Sequence, residues 1–261
     1  MDTLAKALIS RASGQSKLRV DDVVICEVDL AMIHDSGGPR RVKPILDRLQ
    51  RQVWDKDKIV VVTDHYVPAD NAETQAIQAL TKQWVQDQSI DKFYDEQGIC
   101  HVVLPERGHL APGLFCVGGD SHSPTGGAFG AYMFGIGATE MAGVLATGEI
   151  WIKVPETILM SWRNQLSAYV TAKDMMLAMC RKIGMGGGRY QAIQYAGQTI
   201  QALSMQERMT LSNMAAELGA QAGLIAPDEA TVAFVQAAGG TVPANWRDFQ
   251  IEAAESAENV M

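Results

Sequence analysis

The sequence predicts an α/β protein in which a doubly wound, mostly parallel sheet domain is followed by a second, smaller α/β domain. Short apolar runs rich in β-branched residues alternate with segments of helical spacing, the pattern of parallel strands joined by helices. Pro155 then interrupts the β-rich run IWIKVPETILMSW. Because proline is poorly tolerated in a central strand, we place the domain boundary there, between residues 1–155 and 156–261.

The elements of the first domain follow from its capping residues, apolar spacing and β-branched runs. Asp2 opens an amphipathic first helix, and Pro39 after two glycines suits the start of another. Ile77, Leu80 and Trp84 share one helical face, and a Gly-rich turn after residue 118 leads into an apolar segment of helical character. The predicted helices are 3–11, 40–50, 71–86 and 139–147, and the predicted strands are 22–26, 58–63, 92–94, 99–104 and 114–117.

The second domain is predicted from its helix-capping sequences. Two capping boxes, TAKD and SMQE, each open a helix, the first a Met-rich one that stops at Gly184 and the second one that runs to about Leu218. A third helix begins at the sequence PDE and ends at Gly239. On the second helix Asn213 and Glu217 are four residues apart, so they are expected to project from one face.

Composition and charge restrict the class of protein. The chain has 261 residues and a formal net charge of -8, which argues against general nucleic-acid or polybasic membrane binding. No segment reaches the length of a membrane span, so we expect a cytoplasmic protein without nucleic-acid or membrane partners. The four cysteines are widely spaced and form no compact metal motif. We therefore expect buried thiols, with Cys100, beside His101, as the exception to watch.

Histidine and aspartate occur together three times after apolar, strand-like runs. In open α/β sheets ligands bind just beyond the carboxyl ends of the strands. A carboxylate there fixes the tautomer of an imidazole and stabilises its protonated form, which makes the histidine a usable general acid. A lone pair of this kind is more often a surface loop, but three are harder to dismiss. They are Asp64-His65, Asp120-Ser121-His122 and, after a longer gap, His34-Asp35.

A serine-hydrolase interpretation of Asp120, Ser121 and His122 is disfavoured. Adjacent side chains on an extended segment point to opposite faces. The sequence also contains no GxSxG elbow. Acid–base chemistry by the histidines is the favoured alternative.

Several motifs in order along the chain resemble the large subunit of 3-isopropylmalate dehydratase, in the aconitase superfamily. They are TDHYVP, GICHVVLPE, GGDSHSPTGGAFGAYMFGIGATEMAGVLATGEIW, KVPETI, TAKD and MTLSNMAAELGAQAGLIAPDE. DSH followed by the Gly-rich GAFG segment is highly specific, whereas KVPETI alone would be weak. The resemblance covers nearly the whole chain and implies an aconitase-like fold.

The resemblance also implies a hydro-lyase that isomerises a hydroxy dicarboxylic acid such as 3-isopropylmalate by eliminating and re-adding water. In that family a [4Fe-4S] cluster binds the hydroxyl and acts as a Lewis acid. Its three carboxylate–histidine pairs correspond here to Asp64 with His65, Asp120 with His101, and Glu217 with His122. His65 is the expected acid for the departing hydroxyl. Ser121 and His34 match substrate-binding positions, and Asn213 matches a residue near the cluster.

The sequence departs from the family at the cluster ligands. The family's three cluster cysteines lie in motifs that this sequence does not contain, and Ser212 stands where a family cysteine is common. We expect the cluster in the complete enzyme and none bound to this chain. A fragment of a longer large subunit is the favoured explanation, with a split subunit or a non-catalytic relative as alternatives.

The resemblance leaves the substrate and the assembly open. A small subunit is the expected partner, in a heterodimer or heterotetramer. Homoaconitase, a dialkylmalate dehydratase and a cluster-free binding or regulatory protein remain alternative functions.

Overall fold

A computed structural model describes residues 3–251, which form ten strands and nine α-helices. The strands are β1 (Val23–Glu27), β2 (Leu30–His34), β3 (Ile59–Thr63), β4 (Phe93–Asp95), β5 (Phe115–Gly118), β6 (Tyr132–Gly135), β7 (Glu149–Lys153), β8 (Thr157–Ser161), β9 (Ala192–Ala196) and β10 (Ala222–Ile225). The helices are α1 (Leu4–Ser13), α2 (Pro39–Leu49), α3 (Ala72–Asp87), α4 (Cys100–Glu106), α5 (Ala138–Thr147), α6 (Ala172–Ile183), α7 (Gln198–Ala202), α8 (Met205–Asn213) and α9 (Glu229–Ala237). Short 3₁₀ helices occupy Lys56–Lys58, Ser123–Phe129 and Trp246–Phe249.

The main sheet has five parallel strands in the order β4-β3-β2-β5-β6. The chain builds outward from β2 through β3 to β4, and then returns to the other side of β2 to add β5 and β6. The strand order therefore reverses between β2 and β5, and loops leaving their carboxyl ends diverge. In doubly wound sheets that switch point is the usual place of the ligand crevice.

The five-stranded sheet is buried on both faces, which explains its apolar, β-branched sequence. In β2, Ile33 faces a core shared with helices α1, α2, α3 and α5, whereas Met32 faces a core shared with α4, α8 and α9. In β3, Val61 and Val60 divide in the same way. The doubly wound, parallel architecture expected from the sequence is confirmed for this sheet.

A second sheet of three parallel strands has the order β10-β9-β8. Its core takes the methionines of α6, among them Met175, Met176 and Met179. Strands β1 and β7 instead pair with each other as an antiparallel ribbon, so the predicted first strand lies outside the parallel sheet. Pro155 falls between β7 and β8 as expected, while the division into domains 1–155 and 156–261 stays a prediction.

Two predicted elements are wrong. Residues 99–104, predicted as a strand, begin helix α4, because the Cys100 N–H donates to Asp64 Oδ2 at 2.7 Å and so gains an acceptor at the helix start. The helix predicted to reach Leu218 ends at Asn213. The helix is followed by tighter turns in which each backbone N–H bonds the carbonyl three residues earlier. Gly223 of β10 has no side chain, so these turns can pack closely on that strand.

Some elements of the structure were not predicted from the sequence. The sequence did not indicate β2, β9, β10 or α7, and the apolar segment after the Gly-rich turn holds a 3₁₀ helix and β6 before α5 begins. Asp2, the predicted opening residue of the first helix, lies outside the described residues, and Thr3 caps α1 by accepting from the Lys6 N–H. Among residues 3–251 no helix is long and apolar enough to cross a membrane.

Candidate active site

Four of the five histidines converge at the switch point of the main sheet. His34 ends β2, His65 follows β3, and His122 lies in the loop after β5. His101 approaches from the first turn of α4, on the helix that replaced the predicted strand. His109 lies apart from this group and hydrogen-bonds the Tyr94 hydroxyl at 2.6 Å.

Asp120 is the centre of the group. Its Oδ1 lies 2.5 Å from His101 Nε2 and accepts the His122 backbone N–H at 2.8 Å. Its Oδ2 lies 3.6 Å from His65 Nε2, and Oδ1 lies 3.7 Å from His122 Nδ1. The hydrogen bond from His101, and then the nearby His65 ring, hold the pKa of Asp120 well below its ordinary value. One carboxylate therefore faces three imidazoles.

His65 lies between two carboxylates. Asp64 Oδ1 is 2.6 Å from Nδ1, and the 3.6 Å gap from Nε2 to Asp120 is an ion-pair distance rather than a good hydrogen bond. Asp120 first and Asp64 second raise the pKa of His65 from 6.5 to about 10, against the effect of burial. His65 is therefore an imidazolium at neutral pH, and Nε2 is the nitrogen left available to a ligand.

Asp64 links this histidine to helix α4. Burial alone would raise the pKa of Asp64, but hydrogen bonds from His65 and from the Cys100 N–H bring it below its ordinary value. The Cys100 thiol contributes a further hydrogen bond in the same direction. Asp64 thus stays an anion that both orients His65 and satisfies the first turn of the helix that carries His101.

His34 forms a wall of the site. Its ring stacks on that of His65, with centroids 3.9 Å apart and planes 13° apart. Nε2 lies 3.0 Å from the Gly119 carbonyl, and Nδ1 accepts the Gly37 N–H at 3.4 Å, which assigns the proton to Nε2. Burial, and then the charge of His65, lower the pKa of His34. This neutral ring has both nitrogens engaged by the backbone.

The third predicted pair joins the two parts of the chain. His122 Nε2 lies 2.9 Å from Glu217 Oε1, although Asn213 and Glu217 do not share the single helix that the sequence predicted. Glu217 Oε2 is buried without a hydrogen-bond partner among the described residues. Asn213 Nδ2 donates to Thr125 Oγ1 at 2.9 Å, on the 3₁₀ helix that follows the DSH motif.

Ser121 contacts its neighbour, contrary to expectation. Its Oγ lies 3.2 Å from His122 Nδ1, because residues 119–122 form a turn and not an extended segment. The side chains of Ser121 and His122 therefore do not point apart, contrary to the prediction from an extended segment. The absence of a GxSxG elbow from the sequence is unaffected.

Several of the site residues line two separate cavities. A cavity of about 300 Å³ is lined by His34, His65, Asp120, Ser121 and Arg41 among others. A second cavity, of about 520 Å³, is lined by His101, Asn213 and Glu217 together with apolar side chains, among them Val102, Met209 and Phe234. The His101–Asp120 contact lies between them, since each residue lines one of the two cavities.

The site does not fit a resident metal ion. His34, Asp35, Asp64 and His65 offer ligand atoms that all lie within 4.8 Å of one another. A ligand imidazole must be neutral, however, and His65 is protonated. The nitrogens of His34 are engaged by Gly119 and Gly37, and the carboxylate of Asp35 accepts backbone N–H groups.

The four cysteines do not fit the ligands of an iron–sulfur cluster. A cluster is held by thiolates, but burial raises the pKa of Cys26 to about 12 and also raises that of Cys100, Cys116 and Cys180. All four are free thiols. In the described part of the chain no cysteine belongs to a group of three potential metal ligands.

Comparisons with known proteins give one consistent family. The model of the Aconitase family (aconitate hydratase) matches residues 6–260. A probable 3-isopropylmalate dehydratase large subunit of Methanothermobacter thermautotrophicus is 41% identical over 99% of this chain and 61% of that protein. A 3-isopropylmalate dehydratase large subunit of Methanopyrus kandleri is 44% identical over 92% of this chain and 57% of its own length.

Relatives with a second name match comparably. A probable methanogen homoaconitase large subunit of Methanosarcina mazei is 44% identical over 82% of this chain and 55% of that protein. Among solved structures, aconitase X of Thermococcus kodakaraensis in its holo form matches 85% of this chain and 57% of that chain, with a TM-score of 0.46 and 9% identity. The chain thus spans between 55% and 61% of the length of these three large subunits.

Proposed function

The chain belongs to the aconitase family, and we propose that it supplies the acid–base part of a hydro-lyase acting on a hydroxy dicarboxylic acid such as 3-isopropylmalate. The observation that carries this proposal is the convergence of three histidine–carboxylate pairs on Asp120. The names of the relatives, 3-isopropylmalate dehydratase large subunit and homoaconitase large subunit, support it.

In this proposal His65 protonates the departing hydroxyl. Elimination breaks a C–O bond and the neighbouring C–H bond: a base in the part of the enzyme that this chain does not match takes the carbon-bound proton, and the C–H electron pair forms the C=C bond. The departing oxygen needs a second proton to leave as water. Asp64 and Asp120 keep His65 charged before the step, and Nε2, which has no good hydrogen-bond acceptor, is the atom that gives the proton. In the reverse direction the same nitrogen takes the proton back when water adds.

The other pairs have supporting roles in the proposal. Asp120 and His101 form the shortest contact of the site and hold the centre of negative charge in place. Ser121, which lines the first cavity, binds a substrate carboxylate, and the His122–Glu217 pair extends from Asp120 towards the second cavity. Asn213 lies at the second cavity. His34 acts by stacking on His65, because its ring nitrogens are not available for a substrate hydrogen bond.

The complete enzyme is proposed to contain a [4Fe-4S] cluster, as the family implies. The four cysteines of this chain do not fit its ligands, so residues outside the sequence described here would hold it. Names of the relatives as large subunits also imply a small-subunit partner. A heterodimeric or heterotetrameric assembly and a cytoplasmic location stay predictions.

The proposal is tested by joining this chain to the part of a relative's large subunit that it does not match. The chain is fused to the part of the Methanothermobacter relative that it does not match, produced with that relative's small subunit, and reconstituted anaerobically with iron and sulfide. We expect dehydration of 3-isopropylmalate, detected by absorbance of the unsaturated product. His65→Gln should lower the rate constant about 10²–10⁴-fold, the range of general acid–base catalysis.

The matched control is His109→Gln. His109 lies apart from the four histidines of the site, so this variant should leave the rate unchanged. A brown, cluster-loaded protein without turnover on any hydroxy acid would instead support the non-catalytic binding or regulatory alternative.

Arg41 favours a second candidate function. Its side chain is exposed at the first cavity, beside His34, His65 and Ser121, and no acidic partner for it is found among residues 3–251. An unpaired guanidinium there suits a third carboxylate, as a homoaconitase substrate would carry. Homoaconitase large subunits are among the relatives.

A further inference from the structure

Asp35 is a fully buried carboxylate directly after β2, with 0% of its surface exposed. Its Oδ1 accepts the backbone N–H of Ser36 at 3.1 Å, of His65 at 3.1 Å and of Asp64 at 3.4 Å. Its Oδ2 accepts the backbone N–H of Tyr66 at 3.0 Å. Three of these four donors belong to a loop about thirty residues further along the chain.

Asp35 forms no ion pair with a lysine or arginine among residues 3–251. Its ion-pair contact there is with His65 Nδ1, which lies 3.9 Å from Oδ1, beyond hydrogen-bonding distance. Burying an unpaired carboxylate is costly unless several hydrogen bonds satisfy it. Asp35 is an acceptor in all four contacts, so its function is to bind backbone N–H groups.

These contacts begin where the sheet ends. The parallel pairing of β2 with β3 stops at His34 and Val62, and the Asp35 N–H makes one more bond to the Val62 carbonyl. Beyond that point the two loops have no ladder between them. The Asp35 side chain replaces it, since it ties residues 64–66 to the end of β2.

We propose that Asp35 is the positioning residue of the site, fixing the loop 64–66 so that His65 stacks on His34 and stays between Asp64 and Asp120. Asp35 lines neither cavity of the site, so it acts through His65. Its effect on catalysis rests on the proposed function, but its effect on the loop does not. The titratable groups facing His65 are His34 at the end of β2, Asp35 directly after it, Asp64 from the loop of His65 itself, and Asp120 from the loop after β5.

Two variants of the 261-residue chain separate positioning from charge. Asp35→Asn and Asp35→Ala both remove the negative charge near His65, but Asn keeps one acceptor oxygen for the loop and Ala keeps none. The pKa of His65 is measured by NMR of the imidazole Cε1–H, and amide exchange is measured at residues 64–66. We expect the Ala variant to lower this pKa about one unit further than the Asn variant and to speed exchange about tenfold more.

Asp29→Asn is the matched control. Asp29 precedes the other end of the same strand, accepts the Phe115 N–H at 2.7 Å and pairs with Arg11. Its replacement by Asn neutralises a comparable carboxylate that binds a backbone N–H away from the site. The pKa of His65 and the exchange of residues 64–66 should therefore not change.

Equal His65 pKa values and equal exchange in the two Asp35 variants would overturn the proposal, because charge alone would then explain the effect. If the Ala variant does not fold, Asp35→Asn decides, since exchange at 64–66 that matches the unmodified chain would also overturn it. In the assembled enzyme, Asp35→Asn should lower kcat while KM stays within about twofold. If the chain gives the expected His65 pKa and exchange differences but the assembled enzyme shows no turnover, the proposed function is contradicted and the positioning role is not.

Discussion

The two parallel sheets of this chain end very differently. The carboxyl ends of β2, β3 and β5 carry His34, His65 and Asp120 around a cavity of about 300 Å³. The carboxyl ends of β9 and β10 border a larger cavity of about 530 Å³, where Arg208 is the buried charged group. The larger cavity is thus the one without histidines.

Strand order and the pairing of charges explain the difference. In the five-stranded sheet the order reverses between β2 and β5, whereas β8, β9 and β10 follow one another in sequence order across their sheet. Only the first arrangement creates a switch point. Arg208 in turn donates to the Leu203 and Gln201 carbonyls and to Asp228, so it braces α7, α8 and α9 against one another. The size of a cavity therefore does not indicate where the titratable side chains converge.

The largest effect is expected beside the cavity of the three-stranded sheet, on replacing Asp228. Asp228→Asn keeps the helix cap of α9 but leaves the buried Arg208 guanidinium, which is 1% exposed, without its carboxylate. We expect a loss of about 3 kcal/mol in the free energy of unfolding, the low end for a broken buried pair, because Asp228 retains some exposure. Urea unfolding measures it.

The control for that prediction is Glu229→Gln on the same helix. Glu229 pairs with Arg247 at the surface, and breaking an exposed pair costs about 1 kcal/mol or less. Similar losses in the two variants would contradict a bracing role for Arg208.

At the strand ends that carry His34, His65 and Asp120, the expected effect is on the pKa of His65. Asp120→Asn removes the carboxylate that faces His65 Nε2 and His101 Nε2. The pKa of His65 should fall from about 10 by about 1–3 units, as measured by NMR. Asp228→Asn should leave it unchanged. A similar His65 pKa in all three proteins would mean that the strand ends of the two sheets do not differ electrostatically.

The stability of the protein should depend on pH in opposite directions through His65 and through Asp64 and Asp120. The pKa of His65 is raised in the folded protein, so its contribution is fully present below 6.5 and is lost as pH rises towards about 10. The pKa values of Asp64 and Asp120 are lowered, so their contributions are present above about 3.8 and are lost as pH falls below it. His65→Gln should flatten the decline between pH 6.5 and 10, and an unchanged decline would contradict this assignment.

The strand ends that precede Asp64-His65 and the DSH motif could be predicted because the information for them is local. Asp64-His65 follows directly on an apolar run, and DSH precedes a glycine-rich turn, so strand ends and polar residues could be identified together. The three histidine–carboxylate contacts came from family resemblance, and the structure places each within hydrogen-bonding distance.

The errors arose where tertiary contacts decide. The ICHVVL run has strand propensity, but Asp64, thirty-six residues away, caps it as a helix. The role of Asp35 could not be predicted either, since its donors lie in another loop and its only local signal was the neighbouring histidine. Arg208 was unremarkable in sequence, because its carboxylate partner comes twenty residues later.

The smallest expected effect is on substrate preference and concerns Arg41. Arg41→Ala should weaken binding of propane-1,2,3-tricarboxylate about tenfold, the loss of one charge-assisted contact, and leave 3-isopropylmalate binding within about twofold. Dissociation constants come from NMR titration of the chain. Arg48→Ala is the control, because this exposed arginine lies in the last turn of α2, while Arg41 lies in its first. Equal losses for both ligands would make Arg41 a general carboxylate contact, and no loss for either would remove the observation that favours a homoaconitase substrate.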